Sequence, residues 1–269
     1  MRPPVALTIA GTDSGGGAGI AADLKTFAAH GVWGTCAVAA VTAQNTVRVG
    51  EIQTIAPPVV AAQIAAVVTD IGVSATKTGM LGEAGVVHAV AAAVEEWDLH
   101  PLVVDPVAVS TSGAELATPD GIAAMRNRLV PLADLVTPNL TEAAALAHWP
   151  EPPTRREEVE KLAFAVLELG PAAVLVTGGH LPGPEASDLL VTRDGGSQRL
   201  WFEGPRLDSA NTHGTGCVLS AAITARLARG DDLVQAIEGA KDFVTAAIAA
   251  GVRLGAGPGA VNPSGFSPP

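Results

Sequence analysis

Aromatic residues are nearly absent from this sequence: they make up 3% of its 269 residues, and there is no tyrosine. Hydrophobic residues nevertheless account for 48%, so the core must be built from alanine, valine, leucine and isoleucine. Short aliphatic runs of this kind are typical of parallel strands that helices cover on both faces. A chain of this length can bury a substantial core, as one large domain or as two small ones.

Basic residues are scarce as well. The chain has 16 Lys and Arg against 27 Asp and Glu, for a net charge of −11. An acidic chain without a basic block is a poor candidate for binding nucleic acid or an anionic membrane. An anionic substrate would therefore have to be held by local backbone amides.

Long hydrophobic runs and a cysteine framework are also missing. No apolar run approaches the length of a membrane span, and the N-terminal stretch is too weakly apolar for a signal peptide. The two cysteines, Cys36 and Cys217, do not suggest a set of disulfides. We therefore expect a cytoplasmic protein that spans no membrane. Its Pro-, Gly- and Ser-rich tail, from about residue 258, is expected to be flexible.

Two common nucleotide-binding motifs are absent. No glycine-rich stretch ends in the Gly-Lys-Ser/Thr of a P-loop. The glycine-rich run over residues 11–19 follows an apolar run and opens a helical pattern, but it lacks the Gly-x-Gly-x-x-Gly spacing and the later acidic residue of dinucleotide-binding folds. A Rossmann-type oxidoreductase is thus disfavoured. The six histidines are scattered and lack the spacing of zinc ligands.

Strand and helix patterns alternate along the chain with short connections. Aliphatic runs at Val5–Gly11 and Leu102–Val104 predict buried strands, and Thr154-x-x-Glu157 has the form of a capping box at the start of a helix. Asp-Gly-Gly at residues 194–196 predicts a hairpin turn. Because no repeat and no linker splits the chain, we predict one α/β domain over residues 1–269, with a mostly parallel sheet and helices on both faces.

Polar residues recur where the predicted strands end. These clusters are residues 12–19, 44–45, 77–82, 105–113, 139–142 and 178–180. The carboxyl ends of parallel strands meet at one edge of the sheet, and ligands bind there in such folds. The clusters therefore predict a single ligand site at this edge.

The stretch NTHGTGC, residues 211–217, leads into an apolar pattern at helical spacing. Gly214 and Gly216 lack a Cβ, so their amides can closely face a ligand. The first amides of a helix that begins near Thr215 lie at the positive end of its dipole, where phosphate binds; a simple tight turn is the alternative. Cys217 would lie beside the ligand as a general base, as a wall of an anion hole or as a packing residue. The helix start favours its thiolate, whereas a neighbouring phosphate opposes it.

Five more polar side chains have both structural and functional interpretations. Asp23 either interacts with the dipole at the start of its helix or faces the ligand. Gln44 ends an apolar strand, either as a surface residue or as a reader of a heteroaromatic edge. Asn139 and Glu142 stand one turn apart, which suits a helix cap or an indirect, water-rich Mg²⁺ site beside phosphates. Asp105 either caps a loop or contributes to the same metal site or to the electrostatics on the phosphate side.

Several longer motifs occur in a fixed order along the chain. They are AGTDSGGGAGIAADLKTFAAHGVWGTCAVAAVTAQNT, KTGMLG, VVDPV, TPNLTEA, VTGGHL and NTHGTGCVLSAAI. Together they resemble the hydroxymethylpyrimidine and phosphomethylpyrimidine kinase family of thiamine biosynthesis, in the ribokinase-like superfamily. The resemblance extends from about Leu7 to Asn262. The first motif is long and quite specific, whereas the Gly-x-Gly loop alone identifies only the superfamily.

The resemblance implies an ATP-dependent kinase with a three-layer αβα fold, Mg²⁺ and a homodimer. The hydroxymethyl group of 4-amino-5-hydroxymethyl-2-methylpyrimidine would become a phosphate and then a diphosphate. The residues implied around the pyrimidine are Gly11, Ala18, Asp23, Gln44, Met80 and Val107. Gly214, Gly216 and Cys217 match the anion hole, where many relatives carry an aspartate base at the last position. The residues implied near the nucleotide are Asp105, Asn139, Glu142, Thr177 and Thr215, with Asp105 and Glu142 as indirect metal ligands.

Three positions depart from the family pattern. Ala108 stands where methionine is common after Asp-Pro-Val, Thr177 stands where lysine often precedes Gly-Gly-His, and the end GAGPGAVNP lacks a histidine of the family. A phosphate contact from that lysine cannot be assumed here. The alternatives are a pyridoxal kinase of the same superfamily, a Rossmann-type oxidoreductase and a non-catalytic pyrimidine-binding regulator. The intact Gly-Thr-Gly-Cys and Asn-x-x-Glu elements argue against the regulator.

Overall fold

The strands form one sheet. The computed structural model describes residues 2–110, 113–179, 181, 183, 185–193 and 198–265. Within these ranges the strands are β1 (Val5–Gly11), β2 (Trp33–Gln44), β3 (Val49–Thr54), β4 (Ala75–Thr78), β5 (Leu102–Val104), β6 (Leu135–Val136), β7 (Ala173–Val176), β8 (Asp188–Thr192) and β9 (Arg199–Phe202). Their order in space is β3-β2-β1-β4-β5-β6-β7-β8-β9. All pairs from β2 to β7 are parallel, whereas β3, β8 and β9 pair antiparallel with their neighbours.

Helices cover both faces of this sheet. They are α1 (Gly19–Ala29), α2 (Pro57–Asp70), α3 (Ala84–Trp97), α4 (Pro119–Ala124), α5 (Leu140–Leu146), α6 (Arg156–Leu167), α7 (Thr215–Ala228) and α8 (Leu233–Ala249). Helices α2 to α6 share a large apolar cluster on one face, and α1, α7 and α8 bury theirs on the other face. The predicted three-layer α/β architecture is confirmed.

The central strands alternate their side chains between the two apolar layers. In β5, Leu102 and Val104 pack into the first layer and Val103 into the second. In β7, Val174 packs into the first layer and Leu175 into the second. Successive side chains of a strand point to opposite faces, and both faces are covered here. For this reason these strands appear in the sequence as unbroken aliphatic runs.

The start of α6 differs from the prediction. The helix begins at Arg156, and its N-cap, Arg155, makes no side-chain capping bond. The amide of Thr154 donates to the carboxylate of Glu158 at 3.3 Å, and the guanidinium of Arg155 also contacts Glu158. The capping box of Thr154 and Glu157 is therefore wrong, because the glutamate one residue later folds back instead.

Two further predictions concern the ends of elements. The hairpin turn at residues 194–196 lies outside the described residues, but the flanking β8 and β9 do pair antiparallel. In the tail, the amide of Val261 donates to the carbonyl of His213 and that of Asn262 to the carbonyl of Ala247, at 3.1 and 2.9 Å. Both tail residues are buried, so a flexible tail stays a prediction only for residues beyond them. In the described ranges no helix is both long and apolar enough to cross a membrane.

Candidate active site

Two glycine-containing loops meet at the carboxyl ends of the strands. The first, residues 12–18, joins β1 to α1, and the second, residues 211–214, leads into α7. Gly214 is the N-cap of α7 with a φ of 86°, and a Cβ there would overlap the carbonyl oxygen of Gly17. Glycine adopts this left-handed conformation and allows this close approach without steric cost. The first turn of α7 therefore starts directly beside the first loop.

The first turn of α7 presents its backbone to open space. Gly216 is exposed, and a Cβ on it would meet no described atom within 4 Å. The amide of Val218 donates to the carbonyl of Gly214 at 2.9 Å. The amides of Gly216 and Cys217 precede that bond and lie at the positive end of the helix dipole. A phosphate-binding helix start requires this geometry; the phosphate assignment itself stays a prediction.

The Cys217 thiol lies at the same helix start. The amide of Gly19 donates a hydrogen bond to its sulfur. Although the residue is partly exposed, burial of the sulfur raises the pKa of Cys217 to about 12; the charge of Lys77 opposes this rise and that of Asp105 adds to it. The thiol is therefore neutral at neutral pH. The preference of a helix start for a thiolate is outweighed by the loss of solvent and by the neighbouring carboxylate.

The polar cluster at residues 77–82 contains a lysine that is buried at the centre of this site, and sequence reasoning gave it no role of its own. Lys77 stands on β4 and is fully buried, with its Nζ 2.6 Å from Oδ1 of Asp23 and 3.9 Å from Oδ2 of Asp105. Burial lowers the pKa of Lys77, but the negative charges of Asp23 and Asp105 outweigh it, so the pKa is raised and the ammonium stays charged. The sequence signal was a lone charged residue in the four-residue buried strand Ala-Thr-Lys-Thr.

Asp23 does not serve as a charge at the start of α1. The first turn of α1 contains no acidic residue, and Asp23 is fully buried. Its carboxylate accepts hydrogen bonds from the hydroxyl of Thr8 at 2.7 Å and from the ammonium of Lys77 at 2.6 Å. Burial raises the pKa of Asp23, and the charge of Lys77 counteracts the rise. The helix-dipole interpretation is therefore wrong. Direct contact with a ligand stays a prediction, and the two occupied oxygens disfavour it.

Asp105 joins three elements at the site. It follows β5 and is buried, and its Oδ2 accepts a hydrogen bond from the Ser220 hydroxyl of α7 at 2.9 Å. The same oxygen is the one near Lys77 of β4. Burial raises the pKa of Asp105, whereas the charge of Lys77 lowers it. Asp105 thus connects β4, the end of β5 and α7.

Asn139 and Glu142 form a capping box at the start of α5. The amide of Glu142 donates to Oδ1 of Asn139 and the amide of Asn139 to Oε2 of Glu142, both at 2.9 Å. Burial, together with the charge of Asp105, raises the pKa of Glu142 to about 8. Hydrogen bonds from the amides of Asn139 and Ala108 favour the carboxylate and oppose this rise. The helix-cap interpretation is confirmed. In this capping box, the carboxylate of Glu142 lies close enough to that of Asp105 for the two to repel each other.

Most residues predicted around the pyrimidine lie at the ends of β1, β2 and β4. A Cβ at Gly11 would lie 3.0 Å from Sδ of Met80, so these two residues are neighbours. Gln44 ends β2, and its Oε1 accepts a hydrogen bond of 3.4 Å from the Thr42 hydroxyl. Ala18 is the N-cap of α1. Their contact with a substrate stays a prediction.

Val107 and Thr177 lie on the side of the site formed by β5, β6 and β7. Val107 follows β5 and lines a small cavity with Ala108 and Glu142. Thr177 follows β7 and forms a parallel bridge with Asn139. Thr177 therefore lies beside the capping box of α5, where the family pattern often has a lysine. Its nucleotide contact also stays a prediction.

The chain is similar to several known proteins over almost its full length. The family model described as phosphomethylpyrimidine kinase matches residues 13–262. The hydroxymethylpyrimidine/phosphomethylpyrimidine kinase of Streptomyces coelicolor is 46% identical over 97% of this chain and 95% of its own. Among solved structures, an ADP complex of Bacillus subtilis pyridoxal kinase is 36% identical with a TM-score of 0.90, over 98% of both chains. The phosphomethylpyrimidine kinase of Clostridium difficile 630 is also 36% identical, with a TM-score of 0.79, over 91% of this chain and 99% of its own.

Proposed function

This chain belongs to the phosphomethylpyrimidine kinase family, and we propose that it transfers phosphate from ATP to 4-amino-5-hydroxymethyl-2-methylpyrimidine and then to the monophosphate, in thiamine biosynthesis. It is a phosphotransferase. The observation that carries the proposal is the near-full-length identity to relatives whose names contain both steps. Membership of this family decides against the oxidoreductase and against the non-catalytic regulator.

We assign the amides at the start of α7 to the transferred phosphoryl group. Phosphoryl transfer needs mainly alignment and stabilisation of charge. Gly214 and Gly216 keep side chains away from the approaching phosphate, and Thr215 begins a helix of 14 residues whose dipole favours an anion. The buried ammonium of Lys77 adds positive charge behind Cys217.

Cys217 then acts as a wall of the anion hole. A thiol with a pKa of about 12 holds its proton at neutral pH, so it is a poor general base for the hydroxymethyl group. The second transfer needs no base, because its nucleophile is already an anionic phosphate. Gly11, Ala18, Gln44, Met80 and Val107 are assigned to the pyrimidine, with the Gln44 amide directed at the ring edge. Asp23 is assigned a positioning role on the pyrimidine side of the site, which it exerts through its ion pair with Lys77.

A divalent cation such as Mg²⁺ fits the donor set on the nucleotide side. Asp105 and Glu142 are carboxylates, the ligand type that Mg²⁺ prefers, and burial together with their mutual repulsion raises the pKa of Glu142. In the described part of the chain, no three His, Cys, Asp or Glu side chains come together as a metal site, so phosphate oxygens and water would supply the other ligands. When bound, the cation neutralises phosphate charge. Asn139, Thr177 and Thr215 are assigned to the nucleotide.

The proposed function is tested by incubating the protein with Mg-ATP and the hydroxymethylpyrimidine. We expect the monophosphate and then the diphosphate to appear by mass spectrometry. Formation of the monophosphate alone would contradict the second step, and failure to form either product would contradict the whole proposal.

The Gly216→Ala variant tests the phosphate site without disturbing the fold. Its methyl group meets open space in the protein, and alanine in a helix is more favourable than glycine by about 0.5–1 kcal/mol. We expect a raised Tm together with a kcat at least about tenfold lower, because the methyl group would stand where the phosphate approaches. An unchanged kcat in this more stable variant would remove Gly216 from the site.

A pyridoxal kinase is the second candidate. The Bacillus subtilis pyridoxal kinase aligns over 98% of this chain with a TM-score of 0.90, above the 0.79 of the solved phosphomethylpyrimidine kinase. Measuring kcat/KM for the hydroxymethylpyrimidine and for pyridoxal distinguishes the two functions. We expect the pyrimidine to be preferred; a higher value for pyridoxal would reverse the assignment.

We also propose that the protein is a cytoplasmic homodimer. Its two cysteines are free thiols, which suits a reducing compartment. The edge strand β3 and its neighbour β2 expose Ile52, Val41 and the adjoining Val47, at 40%, 47% and 57%, and an exposed strand edge with apolar side chains favours pairing with a second copy. Light scattering after size exclusion gives the mass; a monomer of 26.9 kDa would contradict the dimer.

A further inference from the structure

Asp13 organises the first glycine-containing loop from within. It is 7% exposed, and its Oδ1 accepts a hydrogen bond from the amide of Gly15 at 2.8 Å. Its Oδ2 accepts from the amides of Gly17 and Ala18, at 3.1 and 2.9 Å. Burial raises the pKa of Asp13, but the bonds from His213 and from the loop amides outweigh it and lower the pKa. Asp13 is therefore a carboxylate at neutral pH, and one side chain fixes three amides of this loop.

The same carboxylate reaches the second loop. Nε2 of His213 lies 3.0 Å from Oδ2 of Asp13, and the His213 side chain is 13% exposed. The backbone of His213 is held on both sides, since its amide donates to the carbonyl of Gly259 and its carbonyl accepts from Val261, both at 3.1 Å. A Cβ on Gly17 would lie 2.6 Å from Cδ2 of His213. The imidazole is thus packed against the loop that Asp13 holds.

We propose that the Asp13–His213 pair is a positioning link that holds the pyrimidine-side loop and the phosphate-side loop in one fixed relation. This inference rests on the proposed function. Ala18, at one end of the link, belongs to the proposed pyrimidine wall, and Gly214, at the other, begins the proposed phosphoryl site. The link touches neither reacting group. It acts through the distance between the hydroxymethyl oxygen and the γ-phosphate, and a misplacement of about 1 Å can reduce a rate by about 100-fold.

The test compares two variants of His213. Leucine removes the donor to Asp13, whereas glutamine keeps an N–H donor at nearly the same reach. We expect His213→Leu to lower kcat by about 100-fold, with the KM for each substrate within about threefold of the original protein. His213→Gln should recover most of the kcat. The inference is overturned if His213→Leu changes kcat by less than about threefold, or if glutamine rescues nothing.

A double variant separates a link from two independent contributions. If Asp13 and His213 act only through each other, Asp13→Asn with His213→Leu should have about the kcat of the poorer single variant. Losses that multiply would overturn the link. The matched control is His100→Leu, which breaks another His–Asp pair, the 2.6 Å contact of His100 with Asp134 near the start of β5. It should leave kcat unchanged.

Hydrogen exchange tests the link without turnover. In His213→Leu the amides of Gly15, Gly17 and Ala18 should exchange at least about tenfold faster, whereas the amides of α3 should not change. In His100→Leu the three loop amides should exchange as in the original protein. Unaltered protection of the three amides would overturn the link whether or not the protein is a kinase. If the original protein phosphorylates neither pyrimidine nor pyridoxal but the exchange result holds, the proposed function fails and the link stands.

Discussion

Lys77 and Asp23 are a fully buried ion pair, and removing one partner should leave the other uncompensated. We expect Lys77→Met to lower the free energy of unfolding by about 3–5 kcal/mol, because the Asp23 carboxylate would lose its cation inside the core. Urea denaturation measures the loss. Arg128→Met is the matched control, since Arg128 pairs with Glu95 at 3.7 Å with both side chains about half exposed; it should cost about 0–1 kcal/mol.

The double variant Lys77→Met with Asp23→Asn checks the physical reason. Removing both charges leaves no uncompensated carboxylate at position 23, while Asp105 still loses its cation, so part of the loss should be recovered. If Lys77→Met costs no more than Arg128→Met, the pair does not stabilise the fold in the way that its burial implies.

Cys217 should react as a thiol with a strongly raised pKa. With the pKa at about 12, the thiolate fraction at pH 8 is about 1,000-fold smaller than that of an ordinary cysteine. We expect alkylation by iodoacetamide, followed by mass spectrometry of the Cys217 peptide, to be slower by about this factor than in the urea-unfolded chain. The rate should also rise about tenfold per pH unit from pH 7 to 10. A plateau near pH 9 would mean that poor access, and not the pKa, protects the sulfur.

At the scale of elements, the start of α5 should make stability depend on pH. Burial raises the pKa of Glu142 from 4.5 to about 8, so between these values the folded state holds a proton that the unfolded state has lost. Its contribution to stability is therefore complete below pH 4.5 and declines as the pH rises toward 8. Glu142→Gln keeps the capping box, because glutamine also suits this position, but it cannot titrate.

We expect Glu142→Gln to gain stability relative to the original protein between pH 5 and 8, by up to about 1.4 kcal/mol per pH unit. Urea denaturation at four pH values, without divalent cations, measures the difference. Comparison with the original protein at each pH cancels the contributions of other titrating groups, such as His30, to the free energy of unfolding. A difference that does not change with pH would show that Glu142 ionises normally in the folded protein.

Elements that depend on neighbouring residues were predictable from the sequence, and contacts between distant ones were not. The strand of Leu102–Val104 and the cap of α5 need only a few consecutive residues, and both were found. The cap of α6 was misplaced because Glu157 and Glu158 both stand near the right spacing, and the backbone at Arg155 decides between them. Lys77 and Asp23 lie 54 residues apart, so no local pattern joins them.

At the scale of the whole molecule, the site draws on both helical layers. Glu142 belongs to α5 in the first layer, whereas Asp23 and Cys217 belong to α1 and α7 in the second. Lys77, on the shared sheet, lies between them and contacts Asp23 and Asp105. The sequence, which offers no linker, predicts one domain, and in one domain with a shared site we expect the two layers to unfold together.

Nucleotide binding should therefore protect both layers equally. ADP at 100 times its Kd adds about 2.7 kcal/mol to the free energy of unfolding, which is about 100-fold in protection from hydrogen exchange. Helices α3 and α8 lie on opposite faces of the sheet, and neither contributes a residue to the proposed site. We expect the slowest amides of both helices to gain this factor, measured by native-state exchange with and without ADP. If only α8 gains protection, the two helical layers unfold separately. The nucleotide then stabilises the layer that contains α7 and α8, and the sheet does not extend this stabilisation to α3.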